Sequence, residues 1–151
     1  MGFFYSVTDT VATGNTENNL ALLLTAPDNT CCVWSLVAST FAATAGFWHG
    51  RLVNWSVPDN TFLSTITPQP RDSGAPAAVT AVWRQPGVGS GTRKDHIKIG
   101  SGVNGEETAW YALRRASTIM LEANGGANGN LNLLNFANTG QTVDYTIEME
   151  E

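Results

Sequence analysis

The feature that most constrains this chain is the alternation of apolar and polar residues near its end. Val143, Tyr145, Ile147 and Met149 alternate with Asp, Thr and Glu residues. Successive side chains of a strand point to opposite faces, so a period of two is that of a half-buried β-strand. The chain therefore ends in a strand that needs partners within a sheet.

Short apolar runs separated by turn signals continue this pattern upstream. Stretches rich in Gly, Asn and Pro separate the runs, and the Asn-Gly pairs within residues 124–130 favour tight turns. A length of 151 residues suits one domain, 1–151, with a substantial core. These features predict an all-β fold that is a sandwich, a jelly roll or a barrel. The segments expected to be strands are 3–13, 20–25, 31–40, 47–55, 62–67, 78–83, 118–123, 131–134 and 143–150.

Two segments have more specific predictions. Residues 1–13 are expected to form an N-terminal arm or strand. Residues 85–107 are rich in Gly and Ser, and only residues 96–99 resemble a strand. Loops of this length inside a domain are usually functional or disordered, so we expect a flexible, Gly-rich loop insertion that contacts a partner.

Residues 106–115 leave two alternatives open. Acidic residues come first and basic residues last, as a helix prefers. The apolar residues between them form no clear helical stripe, so a strand is favoured over a helix.

Charge limits the classes of partner. Charged residues make up 14% of the chain, against roughly 25% in a typical globular protein. The formal net charge of −5 argues against non-specific binding to nucleic acid, which requires a basic face. The apolar run 20–24 is too short to span a bilayer, and no signal peptide is recognisable at the start. We expect no nucleic-acid or membrane partner.

Two motifs that suggest chemistry have simpler structural explanations. Residues 72–75 match the aspartic-protease signature, but they follow Pro-Gln-Pro-Arg, which indicates an exposed turn. A protease would also need a second carboxylate, supplied by a dimer. Residues 100–105 fit the dinucleotide-binding pattern without the βαβ unit that gives it meaning. We predict no catalytic or cofactor-binding residue and no enzymatic activity.

The remaining residues with chemical potential are expected to be structural. Cys31 and Cys32 are adjacent, which disfavours a disulfide between them and favours burial as small apolar side chains. His49 and His96 are far apart in sequence and lack ligand-like neighbours, so no metal site is predicted. The five tryptophans are expected in the core or in subunit interfaces, with sugar stacking as the alternative: Trp34, Trp48, Trp55, Trp83 and Trp110.

The order of several segments carries a family resemblance. The segments are residues 3–7, 22–29, 33–39, 70–78, 111–115 and 143–151. In this order the chain resembles small jelly-roll proteins encoded near phage head genes, the capsid decoration or cement proteins. The resemblance covers most of the chain.

The resemblance implies an antiparallel β-sandwich of jelly-roll type that forms a homotrimer on the outer surface of an icosahedral virion. There it would bridge neighbouring major capsid proteins and stabilise the shell, without a cofactor. We expect two contact elements: Phe3, Phe4 and Tyr5 of the N-terminal arm, and Arg93, Lys94 and Lys98 of the Gly-rich loop. The alternative is a carbohydrate- or receptor-binding β-sandwich module, such as a lectin-like domain or the head of a tail fibre.

Overall fold

Strands dominate the part of the chain that the computed structural model describes. The described residues are 2–12, 18–24, 29–41, 48–55, 64–84, 93–101, 107–121, 130–135 and 142–151. The strands within them are β1 Phe4–Ala12, β2 Asn18–Leu24, β3 Cys31–Phe41, β4 Trp48–Trp55, β5 Ser64–Ile66, β6 Gln69–Pro70, β7 Ala81–Arg84, β8 Arg93–Ser101, β9 Glu107–Tyr111, β10 Ile119–Leu121, β11 Asn130–Asn135 and β12 Thr142–Glu150. A 3-10 turn, Arg115–Ser117, lies between β9 and β10.

The prediction of an all-β antiparallel fold is confirmed. Every strand pairing among the described residues is antiparallel, and none of these residues lies in an α-helix. From Thr142 to Met149 of β12 the side chains alternate between partly exposed and buried, as the sequence period requires. The prediction of a strand rather than a helix within residues 106–115 is also confirmed, since Glu107–Tyr111 forms β9.

The strands form two six-stranded sheets. The first sheet has the order β10-β3-β12-β1-β6, and β9 also pairs with β3. The second sheet has the order β5-β7-β2-β11-β4-β8. Most pairings are therefore between strands that are distant in sequence.

These distant pairings are nested. The first strand, β1, pairs with the last, β12, and the second strand, β2, pairs with the next to last, β11. Further inside, β3 pairs with β9 and β10, and β4 pairs with β8. The chain thus has the connectivity of one long antiparallel hairpin, whose successive pairs belong alternately to the first and second sheet.

One hydrophobic cluster contains residues of both sheets. The first sheet contributes mainly the inward residues of β1, β3 and β12, such as Val7, Leu36 and Ile147. The second sheet contributes Leu131 and Leu133 of β11, together with Val82 of β7. Burying one such side chain stabilises a fold by about 1.5–3 kcal/mol. The two sheets are therefore held together by a shared core.

The segment expected to be a loop contains a strand. The strand-like residues 96–99 are the centre of β8, a nine-residue strand that pairs with β4. The residues on either side of 96–99 are mostly polar, so the sequence pattern did not predict the full length of the strand. A strand with few apolar residues is recognisable only from its pairing partner. Residues 85–92 and 102–106 lie outside the described residues.

The N-terminal segment is likewise a strand of the sheet. β1 pairs with β12 along its whole length and with β6 at its start. Of the two alternatives for residues 1–13, an arm or a strand, residues 4–12 therefore form a strand.

Candidate interaction surface on the first sheet

The outer face of the first sheet changes character along its strands. In the middle of β1 the face carries short hydroxyl side chains. Thr8 and Thr146 lie opposite each other there, and their hydroxyl oxygens are 2.9 Å apart. Large apolar side chains lie where β1 begins and β12 ends.

The strand register places several of these residues side by side. Met120 of β10 lies opposite Cys32 of β3, Cys32 lies opposite Glu150 of β12, and Glu150 lies opposite Phe4 of β1. Adjacent strands are about 4.8 Å apart, so this row spans roughly 15 Å. Phe4 and Met120 therefore stand at its two ends on the outer face.

Tyr111, the last residue of β9, lies opposite Ser35 of β3, further along the same strand than Cys32, and Leu113 follows it by two residues. The backbone N–H of Ala112 donates to the Trp34 carbonyl at 2.8 Å, which holds this stretch against β3. Leu113 is 96% exposed, and Phe4, Tyr111 and Met120 are between 43% and 58% exposed. An isolated exposed apolar residue is ordinary, whereas several on one face indicate an interaction surface.

Trp34 is partly buried and contacts both Phe4 and Glu150 of this surface. Its ring centroid is 6.0 Å from that of Phe4, with the planes tilted by 49°. Its indole N–H donates to Glu150 Oε2 at 3.0 Å. Tilted aromatic pairs at this distance are favourable, so the Phe4 ring is held in place before any partner arrives.

Two arginines border the apolar residues, and each is anchored by a carboxylate. Arg115 contacts Glu150 Oε1 at 3.2 Å, and Arg71 forms an ion pair with Glu148. The Arg71 side chain is 57% exposed and that of its partner Glu148 is 30% exposed. The Arg115 side chain is 68% exposed and that of Glu150 is 7% exposed. The surface therefore presents guanidinium groups, with the carboxylates beneath them. We call Phe4, Tyr111, Leu113, Met120, Arg71 and Arg115 the arginine-rimmed patch.

The paired chain ends fix the position of this patch. The backbones of Phe3 and Glu151 exchange two hydrogen bonds, of 2.8 and 3.0 Å. The Glu151 carboxylate also accepts from the backbone N–H groups of Val79 and Thr80, at 2.8 and 2.5 Å. Charge-assisted hydrogen bonds of this kind are among the stronger ones. They tie the ends of β1 and β12 to the segment before β7.

The residues predicted at the N-terminus have different environments. Phe3 and Phe4 are exposed, as a contact role requires. Tyr5 is 1% exposed, and its hydroxyl donates to the Pro76 carbonyl at 3.0 Å. The Tyr5 side chain therefore belongs to the core and offers no surface to a partner. The physical reason is the period of two, which turns Tyr5 inward with Val7 and Val11.

The predicted basic residues lie on a different sheet. Arg93, Lys94 and Lys98 are positions of β8, opposite Trp55, Asn54 and Arg51 of β4. β8 is the edge strand of the second sheet, whereas Phe4 is the first residue of β1 in the first sheet and Phe3 precedes it. The described structure therefore does not bring the two predicted contact elements together in one sheet.

Most of the patch was not predicted from the sequence. One signal was available for Met120, which stands between the core residues Ile119 and Leu121. In a strand, that position must face outward, where a large apolar residue is unusual. A second signal was the pair of arginines that directly follows Tyr111 and Leu113.

Of the two motifs that suggested chemistry, one forms a turn and the other lies mostly outside the described residues. Asp72 caps a turn, where its Oδ1 accepts from the Gly74 N–H at 3.1 Å and its carbonyl accepts from the Ala75 N–H at 3.0 Å. Within the motif at residues 100–105, Gly100 and Ser101 end β8 and the rest lies outside the described residues. The turn interpretation of residues 72–75 is therefore confirmed.

The cysteines are buried in β3, as expected. Burial raises the pKa of the Cys31 thiol to about 12, which keeps it protonated and unreactive at neutral pH. The described residues contain no group of three or more His, Cys, Asp or Glu side chains suited to hold a metal ion.

A small open hollow lies elsewhere, between residues 65–68 and 78–81. Its volume is about 180 Å³, and its lining residues are Thr, Ile, Pro, Ala and Val. Sites for drug-sized ligands are larger, on the order of 300–1,000 Å³. Because no ionisable side chain lines the hollow, it has no group suited to acid–base chemistry.

Comparison with known proteins gives no identification. No protein-family model, no curated protein and no solved structure matches the chain. Among the described residues, no helix has the length and apolar character needed to cross a membrane.

Proposed function

We propose that this chain is a non-enzymatic structural protein of a phage virion, a jelly-roll decoration protein on the outer surface of an icosahedral capsid. It would bridge neighbouring major capsid proteins and stabilise the shell. The observation that carries the proposal is the nested pairing of strands across two sheets, combined with an exposed apolar patch on one of them.

The nested pairing supports the jelly-roll part of the proposal. A jelly roll contains eight main strands in two sheets and is common in viral capsid proteins and lectins. It is formed when a long antiparallel hairpin rolls up, so that its pairs alternate between the sheets. The pairs β1–β12, β2–β11, β3–β9/β10 and β4–β8 follow this scheme. The short strands β5, β6 and β7 are then additions at the sheet edges.

The arginine-rimmed patch supports a binding role on a large partner. A shallow, broad apolar surface with a charged border suits a protein surface better than a small molecule. A trimer of such subunits would place three patches on one particle, and linked weak contacts give a strong overall attachment.

The test is attachment to the shell. Shells assembled from the major capsid protein of the same phage are mixed with the purified chain and sedimented, and the bound particles are imaged by electron microscopy. We expect co-sedimentation and ordered density on the outer surface at a repeated symmetry position. Absence from the pellet at micromolar concentration would overturn the proposal.

A glycan-binding module shares the proposed fold, so the same preparation is tested on a glycan array. Binding to a defined sugar, lost on substitution of Trp48 or Trp55 and accompanied by no shell binding, would favour the alternative of a carbohydrate-binding module.

A further inference from the structure

We infer that the arginine-rimmed patch binds an acidic, apolar-centred surface of a different protein, and that it is not a contact between copies of this chain. The inference rests on the proposed function, in which that protein is the major capsid protein. It goes beyond it by naming the contact face and the chemistry of the partner.

The apolar centre of the patch is built for contact. Tyr111 and Met120 are more than half exposed at strand positions of the first sheet, and Leu113, two residues after Tyr111, is almost fully exposed. An exposed leucine contributes nothing to the core of its own subunit. Its burial against a partner would contribute the apolar part of the binding free energy.

The border of the patch determines the charge of the partner. Arg71 and Arg115 are two of only eight basic residues in a chain of net charge −5, and both lie beside the apolar residues. A guanidinium carries five N–H donors, so each arginine has donors beyond those that contact its own carboxylate. The natural acceptors for these donors are carboxylates of the partner.

The anchoring of the arginines also lowers the cost of binding. Immobilising a long side chain at an interface costs about 0.5–1.5 kcal/mol. Here Glu148 and Glu150 already hold the two guanidinium groups, and Glu148 is itself held by the Ser35 hydroxyl at 2.9 Å. Much of the ordering cost is thus met within the folded subunit.

Self-association through this patch is disfavoured. In a two-fold contact the same patch would face itself and bring exposed arginines of like charge together. A ring of copies would instead need a second apolar surface on the chain. Among the residues whose side-chain exposure the structure describes, which leaves out most of β2, β4 and β8, the large exposed apolar side chains outside the patch are Phe3 and Val79.

The experiment compares four single variants in the shell sedimentation assay. Leu113→Ser and Arg71→Gln change the patch. Val79→Ser is the apolar control, because Val79 is 52% exposed on the segment before β7. Lys98→Gln is the charge control, because Lys98 lies on β8 of the second sheet and was the sequence-based candidate. Circular dichroism and urea unfolding verify that each variant folds.

We expect Leu113→Ser to weaken shell binding by about tenfold and Arg71→Gln by about fivefold, with both controls within about twofold of wild type. Raising NaCl from about 50 to about 500 mM should weaken wild-type binding by about tenfold and affect Arg71→Gln less.

Each other outcome has a defined meaning. If wild type binds shells and the patch variants bind equally well, the inference fails and the proposed function stands. If wild type does not bind shells, the proposed function fails. If sedimentation velocity shows that Leu113→Ser dissociates a wild-type oligomer, the patch joins copies of the chain and the inference is overturned.

Discussion

The Asp9–Arg84 pair and the Glu150–Arg115 pair join the same chemical groups in two different regions of the molecule. Asp9 is an inward residue of β1, and Arg84 reaches it from β7 of the second sheet with two contacts of 2.7 and 2.6 Å. Glu150 is the last residue of β12 in the first sheet, and Arg115 contacts it from the 3-10 turn at a single distance of 3.2 Å. One pair connects the sheets, and the other fixes a surface guanidinium.

The comparison shows that the position of the carboxylate determines the role of the arginine. Asp9 occupies a position where alternation demands an apolar residue, so its charge must be matched inside the fold. Two parallel N–H···O contacts satisfy both of its oxygens. Arg115 instead has a 68% exposed side chain, which leaves it available to a partner. We therefore expect stability effects from the first region and binding effects from the second.

The largest effect is expected from Asp9→Ala, which should lower the free energy of unfolding by about 2 kcal/mol. Breaking a buried ion pair costs roughly 3–5 kcal/mol. The Arg84 side chain is 43% exposed, so water replaces part of what it loses and the expected cost is smaller. Urea titration followed by tryptophan fluorescence measures the change.

Asp72→Ala is the matched control for this variant. It removes an aspartate from an exposed turn and should change the free energy of unfolding by less than about 0.5 kcal/mol. Shell binding should be unchanged in both variants. Equal unfolding midpoints for Asp9→Ala and Asp72→Ala would show that the Asp9–Arg84 pair does not hold the sheets together.

Tyr145→Phe should change how the free energy of unfolding depends on pH in the alkaline range, because Tyr145 lies in the same region as the Asp9–Arg84 pair. Tyr145 lies opposite Asp9 in the register, and its buried hydroxyl has no hydrogen-bond partner among the described residues. Burial raises the pKa of this phenol, so the folded state favours the neutral form. The resulting contribution to stability is complete below the unfolded pKa of about 10 and is lost as the pH rises above it.

The measurement is urea unfolding of wild type and Tyr145→Phe at about pH 7 and about pH 10.5. At pH 7 the two should differ by less than about 0.5 kcal/mol, because the lost hydroxyl makes no hydrogen bond in the described structure. At the higher pH the variant should become the more stable protein. All other ionisable groups are the same in both proteins, so a pH-independent difference would contradict the assignment to Tyr145.

The sequence predicted the strands whose apolar residues alternate. In β12 the period of two assigned Val143, Tyr145, Ile147 and Met149 to the core, and all four are buried there. β8 was only partly predicted, because its ionisable residues give weak alternation and its stability depends on pairing with β4. Pairing between distant strands is set by the tertiary fold, which a local pattern does not contain.

The candidate surface depends still more on distant pairing. The residues of the arginine-rimmed patch come from β1, β9, β10 and the segments beside them. Each residue has an ordinary local context, and only the register of these strands with β3 and β12 brings them together. The alternation rule applied to β1 would nevertheless have separated exposed Phe4 from buried Tyr5.

Arg115→Gln is expected to lower the free energy of unfolding by about 1 kcal/mol, less than Asp9→Ala, measured by urea unfolding. Glu150 would lose one charged partner but keep hydrogen bonds from Trp34 Nε1 at 3.0 Å and from the Gly2 N–H at 3.3 Å. Although the loss of stability is small, shell binding should fall about fivefold, because the exposed guanidinium is the group that would contact the partner. A variant that lost 2 kcal/mol or more of stability while binding shells as wild type does would place Arg115 with Arg84, as a residue that holds the fold together.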